Sequence, residues 1–336
     1  MKLMTFGAAL ALALLALPFA AACGDDDDDD AGPGTLTKVT LMLEWTPNTN
    51  HAGIFLAKQN GWYEEAGIDL EIIEPAQSGV EAAVGSGVAD FGISAQEYVI
   101  PARAEGVPVV SIAAILQHNT SSLISLTKDK ITRPKDLAGK TYGGFGGPLE
   151  EPIIKKLVQC DGGDPSAVKF VTIGNTDYLV GLEANQYDFV WIFDGWDGVR
   201  ATEIAKKDVS TIPFIKYASC IPDWYTPVLI TNEKSIKSDP DTVRGFMAAT
   251  ARGYREAIKD PAASAAALLK AAPESDKALV EASAKYLATR YVDTGRPWGT
   301  QDESIWTGFQ QFLVESKIVA KPIDLKAAYT NEFLPK

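Results

Sequence analysis

The chain has 336 residues, a net charge of −13 and a hydrophobic fraction of 46%. Its lysines and arginines are dispersed, which excludes the concentrated positive surface that nucleic-acid binding requires. It has two histidines and three cysteines and no HExxH, CxxC or EF-hand spacing, so no metal-binding motif is present.

Residues 1–23, MKLMTFGAALALALLALPFAAAC, combine one lysine, an apolar core and a small-residue run. That pattern predicts a secretory signal peptide over residues 1–22. Ala20, Ala21 and Ala22 lead directly to Cys23, which resembles a bacterial lipobox, although that motif prefers leucine at the position of Ala20. Cys23 is therefore expected to carry lipid and hold the chain on the extracytoplasmic face of the cell membrane. Residues 23–35 contain GDDDDDDAGPG, a self-repelling acidic tether. No later segment reaches the roughly 20 apolar residues of a membrane span.

About 300 residues follow, enough for two lobes with separate cores. Short β-branched runs alternate with helical patterns, the signature of α/β folds with mostly parallel sheets. The first series is KVTLMLEW, HAGIFLAKQNGWYEEAG, DLEIIEP, GVEAAVGSG, DFGISA, QEYVIPARAEG and VVSIAAIL. The second follows SSLISLTKD with KTYGGFG, PLEEPIIKKLVQCDG, VKFVTIG, TDYLVGLEANQ, YDFVWIF and GVRATEIAKKD. Beyond SCIPDWYTPVLITNEKSI the chain is almost wholly helical, which predicts helices returning to cover the first lobe. The expected division is lobe 1 over 36–124 and 220–336 and lobe 2 over 125–219. The crossings fall near Ser122 to Lys128 and Tyr217 to Ile230. Cys160 and Cys220 are left unpaired, because two residues do not define a bridge.

Ligands of such sheets sit beyond the carboxyl ends of the strands. The turns there supply Trp45 and Asn48, then Tyr98, then Glu150, then Trp191, Asp194 and Trp196; the returning crossing adds Trp224 and Tyr225. Four of the seven tryptophans belong to this set, which predicts faces for a flat ligand to stack on. Trp191 has a competing place in the core, since alternation in VWIF puts Val190 and Ile192 on one face and Trp191 and Phe193 on the other. The glycine-rich GGFGGPLEE opens a helix, as anion cradles do. It lacks a Lys-Ser/Thr ending, and Glu150 and Glu151 repel phosphate, so an amine-bearing ligand fits better. His51 and His118 have no nucleophile beside them and are not read as catalytic.

LMLEWTPNTNHAGIFLAKQNGWYEEAGIDLEIIEP and GSGVADFGISA, with the spacings W-x-P-x-x-x-H and G-S-G-x-x-D-x-G, resemble the thiamine-pyrimidine synthase-like branch of periplasmic solute-binding proteins. The resemblance runs from about Lys38 to Lys259. It implies an α/β, two-lobed type II periplasmic binding protein fold with a two-crossover hinge. It implies a receptor, expected to be monomeric, that delivers a flat vitamin or vitamin precursor to an ABC permease and its ATPase. A synthase branch of the family attaches pyridoxal phosphate to a lysine and uses a histidine one helical turn later; Ser94 and Tyr98 stand at those positions, so no cofactor and no enzyme activity are expected. Riboflavin and a formylaminopyrimidine are the two ligands weighed. A small pyrimidine needs one stacking pair and a carboxylate, which Trp45, Tyr98 and Glu150 can supply. The further platforms at Trp191, Trp196, Trp224 and Tyr225, with Asp194 for a ribityl chain, favour riboflavin.

Overall fold

Among the described residues, ten short strands run as β1 (Thr37–Met42), β2 (Ile68–Ile73), β3 (Phe91–Ser94), β4 (Val109–Ala114), β5 (Ser121–Leu126), β6 (Thr141–Gly144), β7 (Lys169–Thr172), β8 (Phe189–Phe193), β9 (Val209–Pro213) and β10 (Val228–Asn232). The computed structural model describes residues 36–75 and 79–335. The expected signal peptide, Cys23 and the acidic tether lie outside the described residues. The strands sort into two five-stranded sheets of order β2-β1-β3-β10-β4 and β7-β6-β8-β5-β9.

Both sheets follow one plan. β1 runs parallel to β2 and β3, and β6 runs parallel to β7 and β8. The antiparallel strand of each sheet, β10 in the first and β5 in the second, is the one on which the chain arrives from the other sheet. The crossings are therefore residues 115–120 and 214–227. The first lies upstream of the expected Ser122 to Lys128. SSLISL reads as a polar link, yet all six residues are buried between β8 and β9, because serine is small enough to pack inside a two-faced sheet.

The helical tail returns to the first sheet. Helices Pro240–Lys259 and Pro261–Ala271 pack on helix Ala52–Gln59. Glycine permits the approach: a Cβ on Gly253 would lie 2.0 Å from the Gly53 carbonyl oxygen, and one on Gly53 would lie 2.6 Å from the Tyr254 ring. At this crossing the Tyr254 hydroxyl donates to the Asn50 carbonyl at 2.6 Å, so the helix pair also fixes the turn after β1.

The second crossing is built into the core. Trp224 is stacked on Phe309 of helix Glu303–Glu315 at 4.9 Å, with Trp191 edge-on at 6.1 Å and Phe214 at 6.1 Å. One apolar cluster thereby includes residues of both sheets, among them Ile230 and Val228 of the first and Leu123 and Phe189 of the second. Cys160, closing helix Glu150–Cys160, forms a disulfide with Cys220 of this crossing, at a Cα separation of 5.8 Å. This corrects the unpaired reading; the partners are 60 residues apart and are brought together only by the packing of the second sheet's helix on the crossing.

Gly253→Ala is expected to destabilise the protein by about 1–3 kcal/mol through overpacking. Urea unfolding monitored by tryptophan fluorescence checks this; an unchanged midpoint would mean that the helices separate freely.

Candidate ligand-binding cleft

The turn after β1 is a hydrogen-bonded unit. Asn48 Oδ1 accepts from the Asn50 amide at 2.9 Å and its Nδ2 donates to the Thr46 carbonyl at 3.1 Å. Asn48, expected to bond the ligand, thus caps a short helical turn and is buried; Asn prefers this role because its short side chain reaches its own backbone. His51 Nδ1 accepts from the Asn48 amide at 3.2 Å, which leaves the proton on Nε2 to be donated to Glu44 at 2.8 Å. His51 is fully buried, whereas Glu44 keeps 29% of its side chain accessible. The histidine acts as a positioner of a carboxylate at the strand end.

A second chain of bonds joins the lobes. Thr49 Oγ1 and Ser283 Oγ lie 2.5 Å apart, and Ser283 Oγ donates to the Gly195 carbonyl. Tyr291 donates to the Thr49 carbonyl at 2.6 Å. Gly195 also lies against Leu287. The turn after β1, the helix Lys277–Leu287 and the loop after β8 are thereby held as one group.

The expected aromatic platforms separate into two kinds. Among the described residues four aromatic side chains are exposed: Trp45 at 47%, Tyr98 at 58%, Phe145 at 58% and Phe193 at 41%. Trp45 follows β1, Tyr98 follows β3, Phe145 follows β6 and Phe193 ends β8. Each sheet thus supplies two, all at the carboxyl ends of mutually parallel strands. Exposing four rings costs hydrophobic free energy, which makes these strand ends the candidate binding surface. Phe145, between the glycines of GGFGG, and Phe193, on the Trp191 face of VWIF, lie on the expected cleft-facing turns but outside the expected ligand-binding set.

The other platforms face inward. Trp224 and Tyr225 are each only 1% exposed, which corrects their placement on the cleft wall. Trp224 belongs to the aromatic stack at the crossing. Tyr225 exchanges backbone bonds with Gln96, accepting from the Gln96 amide at 2.9 Å and donating to Gln96 Oε1 at 2.9 Å, while its hydroxyl accepts from the Asp302 amide at 2.8 Å. Trp191 is edge-on to Phe214 at 4.7 Å, opposite the core of Val190 and Ile192. Trp196 packs on the apolar cluster of the first lobe. Asp194 accepts from Ser122 Oγ at 2.9 Å, and burial pushes its carboxyl up to about 6.

The electrostatics are acidic. Glu150 folds back on its own loop, accepting from the Gly147 amide at 3.0 Å and the Gly146 amide at 3.4 Å. A Cβ on Gly144 would meet Glu150 Oε2 at 2.1 Å, so glycine is needed for this approach. The loop's donors are therefore filled by a carboxylate of the chain itself, which disfavours an incoming phosphate. Tyr98 lies in the field of Glu97, Glu81 and Glu150, two from the first lobe and one from the second, so carboxylates from the strand ends of both sheets act on it. Ser94 donates to Glu81 and offers no amine for a Schiff base. These residues do not fit pyridoxal phosphate, whose phosphate would meet three carboxylates.

A family model described as NMT1/THI5 like matches residues 48–264. The chain belongs to this family. It is 28% identical over 311 residues to the formylaminopyrimidine-binding protein of Halalkalibacterium halodurans, covering 88% of this chain and 90% of that one. It is also 28% identical over 313 residues to a 4-amino-5-hydroxymethyl-2-methylpyrimidine phosphate synthase of Legionella pneumophila, covering 89% and 93%. Among solved structures, the periplasmic aliphatic sulphonate-binding protein of Escherichia coli superposes with a TM-score of 0.64 at 14% identity, covering 89% of this chain and 94% of that one. The fold is that of the periplasmic binding proteins, as the family resemblance implies.

At the edge of the cleft His118 of the first crossing bonds Asp223 of the second at 2.6 Å and Asp293 of the tail at 3.2 Å. The Asp223 bond, with the charges of Asp223 and Asp293, raises its pKa above the ordinary 6.5. The tie therefore contributes stability fully below pH 6.5 and loses it as pH rises through the raised value. Thermal melts from acid to alkaline pH are expected to show the wild type losing stability relative to His118→Gln across that window; parallel curves would remove the tie.

Proposed function

We propose that this chain is the ligand-binding receptor of an ATP-driven importer and that its cleft captures a formylaminopyrimidine. The observation that carries the reading is the combination of exposed rings from both lobes with an acidic interior and filled loop donors. A small, flat, amine-bearing ring suits such a cleft; an anion does not. The relationship to a formylaminopyrimidine-binding protein supports the same ligand.

Riboflavin fits this arrangement poorly. A three-ring system needs Trp191, Trp196, Trp224 and Tyr225 as platforms. Two of these are core residues of the crossing and the other two pack on protein. Trp45, Tyr98, Phe145 and Phe193 remain, which suits one stacked ring with a cover from the opposite lobe.

In this reading the ligand stacks on one lobe, the two crossings flex, and the closed form is delivered to a membrane permease. The signal-like residues 1–22, Cys23 and the acidic run support a lipid-anchored receptor outside the cytoplasm, with the tether giving it reach. Among the described residues no helix is long and apolar enough to cross a membrane. The relatives named as synthases raise an enzymatic alternative, against which stand Ser94 and the three carboxylates around Tyr98.

Calorimetry of residues 36–336, one compact unit, with formylaminopyrimidine is expected to give one site, with the ligand recovered unchanged in mass. Trp45→Ala is expected to weaken it by about 1–3 kcal/mol through lost buried aromatic area. A modified ligand would favour the synthase reading, and riboflavin binding tighter than the pyrimidine would overturn the ligand assignment.

A further inference from the structure

Each crossing is held at one end by the first lobe and at the other by the second, and few residues lie between the holds. In the first crossing the Ile115 amide donates to the Pro227 carbonyl at 3.0 Å, the Ile115 carbonyl accepts from Trp298 Nε1 at 3.2 Å, and the Gln117 amide donates to the Arg290 carbonyl at 3.2 Å. These bonds fix the chain to the first lobe as far as Gln117. From Thr120 onward it belongs to the second, because the Thr120 carbonyl accepts from the Asp194 amide at 2.9 Å and Ser121 pairs with Phe193. His118 and Asn119 lie between.

The second crossing divides in the same way. Cys220 is bound to helix Glu150–Cys160 of the second lobe by the disulfide, and the amides of Cys220 and Ile221 both donate to the Tyr217 carbonyl, at 2.8 and 3.0 Å. Trp224 is stacked on Phe309 and Tyr225 is bonded to Gln96, both on the first lobe. Pro222 and Asp223 remain between, and the proline ring fixes one of their torsions. Rotation of packed bodies is absorbed by the few residues whose backbones neither body holds. Here these are two short pairs, and Asp223 joins them. Its Oδ2 accepts from His118 Nδ1 at 2.6 Å, and its Oδ1 accepts from the amides of Asn119 and Trp224, each at 3.0 Å. The Ser283 bond to Gly195 lies beside the same point, since the preceding residue, Asp194, bonds Thr120.

We propose that the lobes turn about one pivot, His118 and Asn119 against Pro222 and Asp223, and that the Asp223 carboxylate is the pin that makes the two crossings bend together. This rests on the reading of the chain as a receptor whose crossings flex, and it gives Asp223 a positioning role in closure. Without the pin each crossing turns separately, and the lobes take up more arrangements.

The test reads the distance between spin labels on Val88→Cys and Val180→Cys, which are 68% and 60% exposed and lie one on each lobe, by pulsed electron paramagnetic resonance on residues 36–336. With the pivot intact and no ligand, one narrow distance peak is expected. Asp223→Ala is expected to broaden it and add a second peak. His118→Ala, at a half-exposed side chain, removes the Oδ2 bond alone and is expected to broaden it less; Asp223→Asn, which keeps an oxygen for the two amides, is expected to stay close to the intact pivot. Gly253→Ala, which loosens the first lobe away from the crossings, is expected to leave the peak unchanged. Unchanged peaks in Asp223→Ala and His118→Ala, or in His118→Ala alone should the other not fold, overturn the pin. So does equal broadening in Gly253→Ala, because the spread then reports lost stability. Formylaminopyrimidine that binds without moving the peak of the intact pivot overturns the flexing of the crossings and this inference with it. Failure of the pyrimidine to bind overturns the proposed ligand, while the ligand-free peaks still decide the pivot.

Discussion

The stack of Trp224 on Phe309, closed on its other sides by Trp191 and Phe214, is the contact on which the molecule's architecture depends. A chain that crosses twice between two sheets brings two long loops through the middle of the protein. Loops carry backbone groups that need partners and side chains that need cover. Here the second crossing meets both needs, with aromatic rings for the core and Gln96 for the backbone of Tyr225. The Cys160 bridge ties the same crossing to a helix of the second lobe.

A packed floor lets the rims differ. Because the crossing is packed rather than open, the rings left exposed are those on the strand ends, two from each sheet. The carboxylates are distributed by the same rule. Glu44 is held by His51 on the first turn, Glu150 by the glycine loop of the second lobe, and Glu97 points at the crossing itself. Each is placed by a different backbone device: a buried histidine, a row of amides and a helix start. Carboxylates at the strand ends and amides already filled by Glu150 disfavour an anion there electrostatically, although the sulphonate-binding protein shares the fold. Fold similarity at that level leaves ligand charge undetermined, since charge resides in a few side chains at strand ends.

Much of the fold was legible from periodicity. Alternation in VWIF correctly separated Val190 and Ile192 from Trp191, and apolar spacing in the tail identified the helices that cover the first sheet. The first crossing was misplaced because SSLISL has the composition of a link, while burial on both faces made it a central strand of the second sheet. Asn48 was assigned to the ligand because a polar residue on a strand-end turn has the same appearance whether it caps a helix or faces a cleft. Only its bonds to Thr46 and Asn50 distinguish the two.

What the sequence by itself determined was local: strand and helix order, the two-series organisation, the turns that reach the cleft and the absence of a lysine at Ser94. These follow from residue spacing along one segment. What only the tertiary structure decided was which aromatic rings stay exposed at the strand ends and which are covered. Trp45 and Trp224 both adjoin turn-forming residues and cannot be told apart locally. Phe309, 85 positions after Trp224 along the chain, covers the second and leaves the first exposed, because only the folded chain brings the helix of Phe309 onto the crossing.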